Sequence, residues 1–176
     1  MQNSTFKQDF VNFFADELNS TYLPENVIGE LNKFKLLISD EIDDHTSRWG
    51  NWLNVWSDQF INMERFANER PAYIRQYLED YFILTSNVLT LINGNPEEGT
   101  IRINNLFVSE NSWSGMYFEG IPIQLQAIPE PGYEFVRWEG DIGTHQANEK
   151  VDLTRNMNIT AVFEPTQEQS HQIVIN

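Results

Sequence analysis

Residues 129–141 read PEPGYEFVRWEGD. A Pro131-Gly132 turn precedes three aromatic side chains, Tyr133, Phe135 and Trp138, and Gly140-Asp141 supplies a second turn. Such a dense aromatic strand serves either as a ligand platform or as a core. Tyr133 and Phe135 stand two apart, so on a strand they share a face. A small sheet needs large side chains to bury enough apolar area, at about 25 cal/mol per Å². The expected reading is a strand between two turns, with Trp138 in the core.

Outward from this stretch, the alternating pattern holds across the second half of the chain. SNVLTLIN, TIRINNLFV, IPIQLQAI, YEFVRW, KVDLT, NITAVF and HQIVI follow one another, separated by turn residues. The phase of TIRINNLFV shifts at Asn104-Asn105, which predicts a bulge or a strand end. No helix-length segment intervenes, so a small antiparallel β domain is expected over 87–176. The first half has a different period. Phe6, Phe10, Phe13, Phe14 and Leu18 form one helical stripe after a capping Asn3 or Ser4. Val27, Leu31, Phe34, Ile38 and Ile42 form a second after Pro24, ending near Trp49-Gly50. Trp52, Val55, Trp56, Phe60, Met63 and Phe66 form a third. Pro71 interrupts it and is expected to open a fourth helix through Tyr73, Ile74, Tyr77, Leu78 and Phe82. The expected fold is α+β: an antiparallel bundle of about four helices over 1–86, then the β domain. Only Thr85, Ser86 and Asn87 separate the last helical stripe from the first strand, so the halves are expected to behave as one unit.

The totals restrict function. Eleven Lys and Arg face 26 Asp and Glu, a net charge of −15 over 176 residues. A protein that displaces counterions from nucleic acid needs the opposite balance, and an anionic membrane surface asks for the same cations. The acidity is spread evenly, −7 over residues 1–92 (7 basic, 14 acidic) and −8 over 93–176 (4 basic, 12 acidic), as a solubility feature would be. No cysteine is present, which removes disulfides, thiolate metal sites and thiol nucleophiles. No apolar run reaches a membrane span. The N-terminus lacks the basic and apolar regions of a signal peptide and opens directly on an amphipathic pattern, as a fragment of a longer protein would.

No constellation for catalysis emerges. His45 continues the second helical stripe, His145 lies in a loop and His171 near the end, without metal-ligand spacing. The acids of SDEIDD at 39–44 place Asp40, Asp43 and Asp44 on one solvated helix face. Asp141 and Glu149 fall short of a calcium loop. GNPEEG places two acids where a phosphate would lie. No cofactor is expected. The candidate binding residues are Trp113 and Tyr117 in NSWSGMYF, near Gly115 and Gly120, read either as a loop or hairpin with its aromatics outside or as a loop with them buried.

Two resemblances bear on these halves. GIPIQLQAIPEPGYEFVRWEGD at 120–141 and NMNITAVFEP at 156–165 resemble a divergent internalin-type B repeat, a small bacterial extracellular β module related to the β-grasp family. FADELNSTYLPENVIGEL at 14–31, HTSRW at 45–49, NWLNVW at 51–56 and RFANERPAYIRQYL at 65–78 resemble the C-terminal end of spore-coat CotH-type kinases, atypical extracellular relatives of the protein-kinase fold. In bacterial members a B-repeat-like module often follows that helical end. The nucleotide lobe and metal-binding aspartates of that family have no counterpart here, so the resemblance carries no catalytic residue onto this chain.

The resemblances imply the non-catalytic C-terminal portion of a secreted or surface bacterial CotH-like protein. Its role would be support or attachment, beside an upstream kinase-like lobe and with an extracellular protein or glycan as partner. The alternative is a free-standing glycan- or protein-binding module using the exposed aromatics of the β domain. Because no phosphate-cradling loop is present, calorimetric titration of the chain with Mg-ATP is predicted to be silent. A measurable dissociation constant would reveal a nucleotide site that these residues do not announce.

Overall fold

The computed structural model describes residues 3–50 and 53–166. The chain divides after Thr85 into a helical and a β unit.

In the helical unit, the Asn3 side chain accepts from the Phe6 amide at 3.1 Å and starts α1, Ser4–Leu18. Pro24 opens α2, Pro24–Trp49, where its missing N–H costs nothing. Gly50 closes it at φ 108°, donating to the Thr46 carbonyl at 3.0 Å. The third helix, α3, runs over Leu53–Phe82 with Pro71 inside it.

The described residues therefore form three helices, not about four. Proline at 71 removes one intrahelical hydrogen bond and crowds the carbonyl four residues back, which ordinarily breaks a helix. Packing on both sides of the proline opposes that. Phe60, Ala67 and Leu78 are all buried, and 18 residues, five full turns, separate the first from the last. Only an uninterrupted helix keeps them on one face. Arg75, one turn past the proline, donates from Nη2 to the Leu18 carbonyl at 3.1 Å and to Asn19 Oδ1 at 2.7 Å, fastening α3 to the end of α1.

The buried face of α1 also differs from the expected phenylalanine stripe. Val11, Ala15 and Leu18 are buried, with the polar Asn12, Asp16 and Asn19 beside them, while Phe6 and Phe13 stand about half exposed. Ala15 on α1 and Ala67 on α3 are small and buried, which permits close approach of the two backbones. The bulky phenylalanines are displaced to the flank. No residue of α2 is buried.

The β unit holds β1 Ser86–Asn93, β2 Gly99–Ile103, β3 Leu106–Val108, β4 Ser112–Phe118, β5 Ile123–Pro129, β6 Tyr133–Gly140, β7 Asn148–Val151 and β8 Met157–Pro165. They form two four-stranded sheets, ordered β4-β1-β8-β6 and β3-β2-β5-β7. The expected stretch HQIVI lies outside the described residues. The expected antiparallel order is corrected at one place: β1 and β8 run parallel, Leu91 opposite Ile159. Parallel neighbours require a long crossover, and β2 to β7 supply it. The phase shift at Asn104-Asn105 is a turn between β2 and β3. Asn104 adopts φ 47° and its backbone and side chain both bond Gln124 at 2.8 Å.

Each sheet buries one face. Leu89, Leu91, Tyr117, Ile159, Ala161 and Trp138 come from the first sheet, and Ile101, Ile103, Ile123, Leu125 and Ala127 from the second. Direct contacts join the sheets. Asn93 Nδ2 of β1 donates to the Gly99 carbonyl of β2 at 2.6 Å. A Cβ at Gly99 would stand 2.5 Å from the Phe163 ring of β8, so only glycine lets β2 lie there.

The stretch 129–141 is β6 and its flanking turns. Phe135 pairs with Phe163, but Trp138 pairs with Ala161, so three steps on β6 match two on β8. The extra residue at Val136 is a bulge, and it changes the parity of the strand. Without it, Trp138 would face away from Phe135. With it, both point inward, ring centroids 5.3 Å apart, and Trp138 is 1% exposed. Its indole Nε1 donates to the Gln146 carbonyl at 3.0 Å, so the buried polar atom is satisfied. Beyond β6, Gly140 sits at φ 94° against the Asn158 carbonyl, where a side chain has no room. Asp141 then bonds the Asn158 amide and Arg155, each at 2.7 Å.

This packing has two measurable consequences. Trp138→Ala is expected to destabilise the β unit by about 3–5 kcal/mol in chemical denaturation, as a buried aromatic truncation does. Truncating the half-buried Trp113 should cost clearly less, and equal small losses would place Trp138 at the surface. The Asn158 amide, and then Arg155, hold the Asp141 carboxyl below its ordinary value of 3.8. A depressed carboxyl contributes stability that is complete above the unfolded value and lost as pH falls through the folded one. Asp141→Asn should therefore lower stability near neutral pH. Its difference from the parent should shrink as pH drops below 3.8; a pH-independent difference would assign the loss to the amide geometry.

Candidate functional site

The stretch NSWSGMYF is not a loop with external aromatics. Residues 112–118 are β4, an edge strand in register with β1: Trp113 opposite Leu91, Gly115 opposite Leu89 and Tyr117 opposite Asn87. Directly paired residues share a face, and Leu89 and Leu91 point into the core. Tyr117 is fully buried and Trp113 is half-buried, their ring centroids 6.4 Å apart. Tyr117 thus offers no open stacking surface, and Trp113 only a partly covered one. The polar partners of the alternation face out, with Thr90 and Ser114 hydroxyls 3.0 Å apart. That alternation, Ser112 and Ser114 against Trp113, Gly115 and Tyr117, is the strand signal beneath the glycines.

The ionisable candidates remain apart. His45 lies exposed on α2 and His145 exposed in the β6–β7 loop. Asp40, Asp43 and Asp44 are exposed on α2. Asp141 is held by Arg155 and Asn158, and Glu149 Oε1 accepts from the Thr144 hydroxyl at 2.7 Å, so the two acids serve different contacts. Among the described residues no three His, Asp or Glu side chains gather as a metal site would require. No described helix is long and apolar enough to cross a membrane. His171 lies outside the described residues.

Two surfaces stand out that the sequence pattern does not single out. In the helical unit an open apolar groove of about 390 Å³ runs between α1 and α3, lined by Phe14, Leu18, Ala67, Pro71 and Ile74 among others. Past Phe14 and Ile74 it continues into a second of about 430 Å³ lined by Phe10, Leu78 and Phe82. On α2, Leu36 and Leu37 are 76% and 77% exposed. In the β unit, the outer face of the second sheet carries a continuous cross-strand row: Phe107, Arg102, Gln126 and Asn148, one from each of β3, β2, β5 and β7. Gln124 and Lys150 pair beside it. Phe107 is 65% exposed and the Arg102 guanidinium lies 5.8 Å from its ring centroid. Pairing register creates this row, and it cannot be read from residues that are distant along the chain.

Comparison with known proteins agrees with both resemblances. Residues 1–74 match the family model of the CotH kinase protein, and residues 97–167 match that of the divergent InlB B-repeat domain. No curated protein and no solved structure matches the chain. The chain thus joins, in this order, a segment similar to the CotH kinase protein and a segment similar to the divergent InlB B-repeat domain.

Proposed function

We propose that this chain is a non-catalytic C-terminal portion of a CotH-like protein of the bacterial surface or spore coat, in which the β unit serves attachment. Both matched families are typically associated with such surfaces. The helical unit would complete a larger kinase-like domain, and the β unit would present an outward face to an extracellular partner.

The observation that carries this reading is the apolar surface of the helical unit. A folded three-helix domain ordinarily hides its apolar stripes. Here α2 buries nothing, and Leu36, Leu37, Phe34 and Trp49 lie exposed along it. The groove between α1 and α3 is lined by aromatic and aliphatic side chains. Exposed large apolar side chains beside an open apolar groove are what a unit covered by another body would present. Residues 1–74 match the family model of the CotH kinase protein, and the rest of a kinase-like domain would be such a body. The hydrogen-bonded acids Asp141 and Glu149 and the scattered histidines fit a supporting rather than a catalytic role.

The reading predicts that the chain binds a hydrophobic dye such as anilinonaphthalene sulfonate in its native state. The double variant Leu36→Glu, Leu37→Glu should reduce that fluorescence markedly. Surface substitutions usually change stability by no more than about 0.5 kcal/mol, so the thermal midpoint should barely move. A chain that binds no dye, or a double variant that unfolds, would mean that these side chains are already covered and would remove the need for a larger domain.

A further inference from the structure

We infer that the outer face of the β3-β2-β5-β7 sheet is a binding platform for an acidic polysaccharide, one whose sugars carry carboxylates. The proposal rests on the attachment reading of the β unit and specifies the surface and the ligand.

Charge supports it first. Residues 86–166 contain four cations: Arg102, Arg137, Lys150 and Arg155. Arg137 pairs with Glu139 and Arg155 with Asp141. Arg102 and Lys150 have no ion-pair partner among the described residues, and both stand on this face. The face itself carries no carboxylate. Glu149, the one acid on these four strands, is in register with Leu125 on the opposite face and is bonded by Thr144. A chain with net charge −15 thus leaves its two unpaired β-unit cations on one sheet face whose strands carry no acid, with Glu98, Glu130 and Asp152 just beyond the strand ends. An anionic ligand is the complement.

The remaining chemistry separates a glycan from a peptide. The row Phe107–Arg102–Gln126–Asn148 crosses four strands, about 14 Å at ~4.8 Å per strand. Gln126 and Asn148 each bring an amide that can both donate and accept, as sugar hydroxyls require, and Gln124, whose Nε2 donates to the Glu149 and Leu125 carbonyls, offers its Oε1 as an acceptor. Phe107 offers an exposed flat ring at one end, already steadied by the Arg102 guanidinium, which also donates from Nε to the Asn104 carbonyl at 2.8 Å. An extended peptide gains affinity by adding its backbone to a sheet edge. This row runs perpendicular to the strands over the face of the sheet, whereas the backbone edges a peptide would extend lie along β3 and β7, at the ends of the row. A sugar chain needs no such edge.

The test is affinity electrophoresis of the full chain through gels containing polygalacturonate, neutral dextran or poly-glutamate. Polygalacturonate should retard the chain, and dextran should not. Phe107→Ala and Lys150→Gln should each weaken the retardation at least fivefold. Arg137→Gln removes the same charge elsewhere and should leave it within twofold. All three positions are accessible, so unchanged circular dichroism is expected to accompany each variant. Absence of retardation by polygalacturonate overturns the proposal. So does an equal loss in Arg137→Gln, which would make the effect one of net charge. Equal retention by poly-glutamate would also overturn it, while leaving attachment itself standing. The dye measurement on the helical unit is independent of all these outcomes.

Discussion

The extra residue at Val136 in β6 puts the largest buried side chain, Trp138, on the inner face of the first sheet. A strand alternates faces, so aromatic residues three apart cannot both point inward. The bulge between Phe135 and Arg137 inserts one step and brings Trp138 onto the face of Phe135. The largest buried side chain then meets Ala161 on β8, a small neighbour that leaves it room. The parallel β1–β8 pair at the sheet centre lies beside this contact, and Gly99 brings the opposing sheet against Phe163 two residues along β8. A shift of parity at one position thus organises the inner face of one sheet and its seat against the other.

The turn and loop after β6 keep that parity in place. Gly140 permits the close approach of the chain to Asn158, and Asp141 binds the amide there. The loop that departs from this turn returns to satisfy the indole through Gln146 and the Trp138 amide through Thr144. The polar groups of this turn and loop therefore have structural partners. The open chemistry of the β unit lies elsewhere, on the outer face of the second sheet, where two cations stand beside a row of amides.

The helical unit is organised on a different principle. The buried face of α1 is composed of Val11, Ala15 and Leu18 with the polar Asn12 and Asp16 beside them, rather than of its many aromatics. Arg75 secures the end of α1 through a carbonyl and an amide oxygen, and α3 continues through Pro71 with buried residues on both sides of it. Among the side chains left outside, Phe13 and Phe34 belong to stripes that the hydrophobic periodicity marks as core. Periodicity reports which face is apolar, and the apolar face of one part can be reserved for another body.

Local order is enough to specify the change from a helical to an alternating period, the caps at Asn3 and Gly50, the strands around residues 86–165 and the two family resemblances. These rest on spacing and on turn chemistry, which neighbouring residues express without knowledge of distant ones. Four features were settled only on folding: the passage of α3 through Pro71, the choice of Val11, Ala15 and Leu18 as the buried face of α1, the parallel pairing of β1 with β8 and the inward turn of Tyr117. Long-range partners fix these arrangements: Leu18 for Arg75, Ile159 for Leu91, Asn87 for Tyr117. The same holds for the Phe107–Arg102–Gln126–Asn148 row. Its four residues come from four strands, and hydrogen-bond register alone places them side by side.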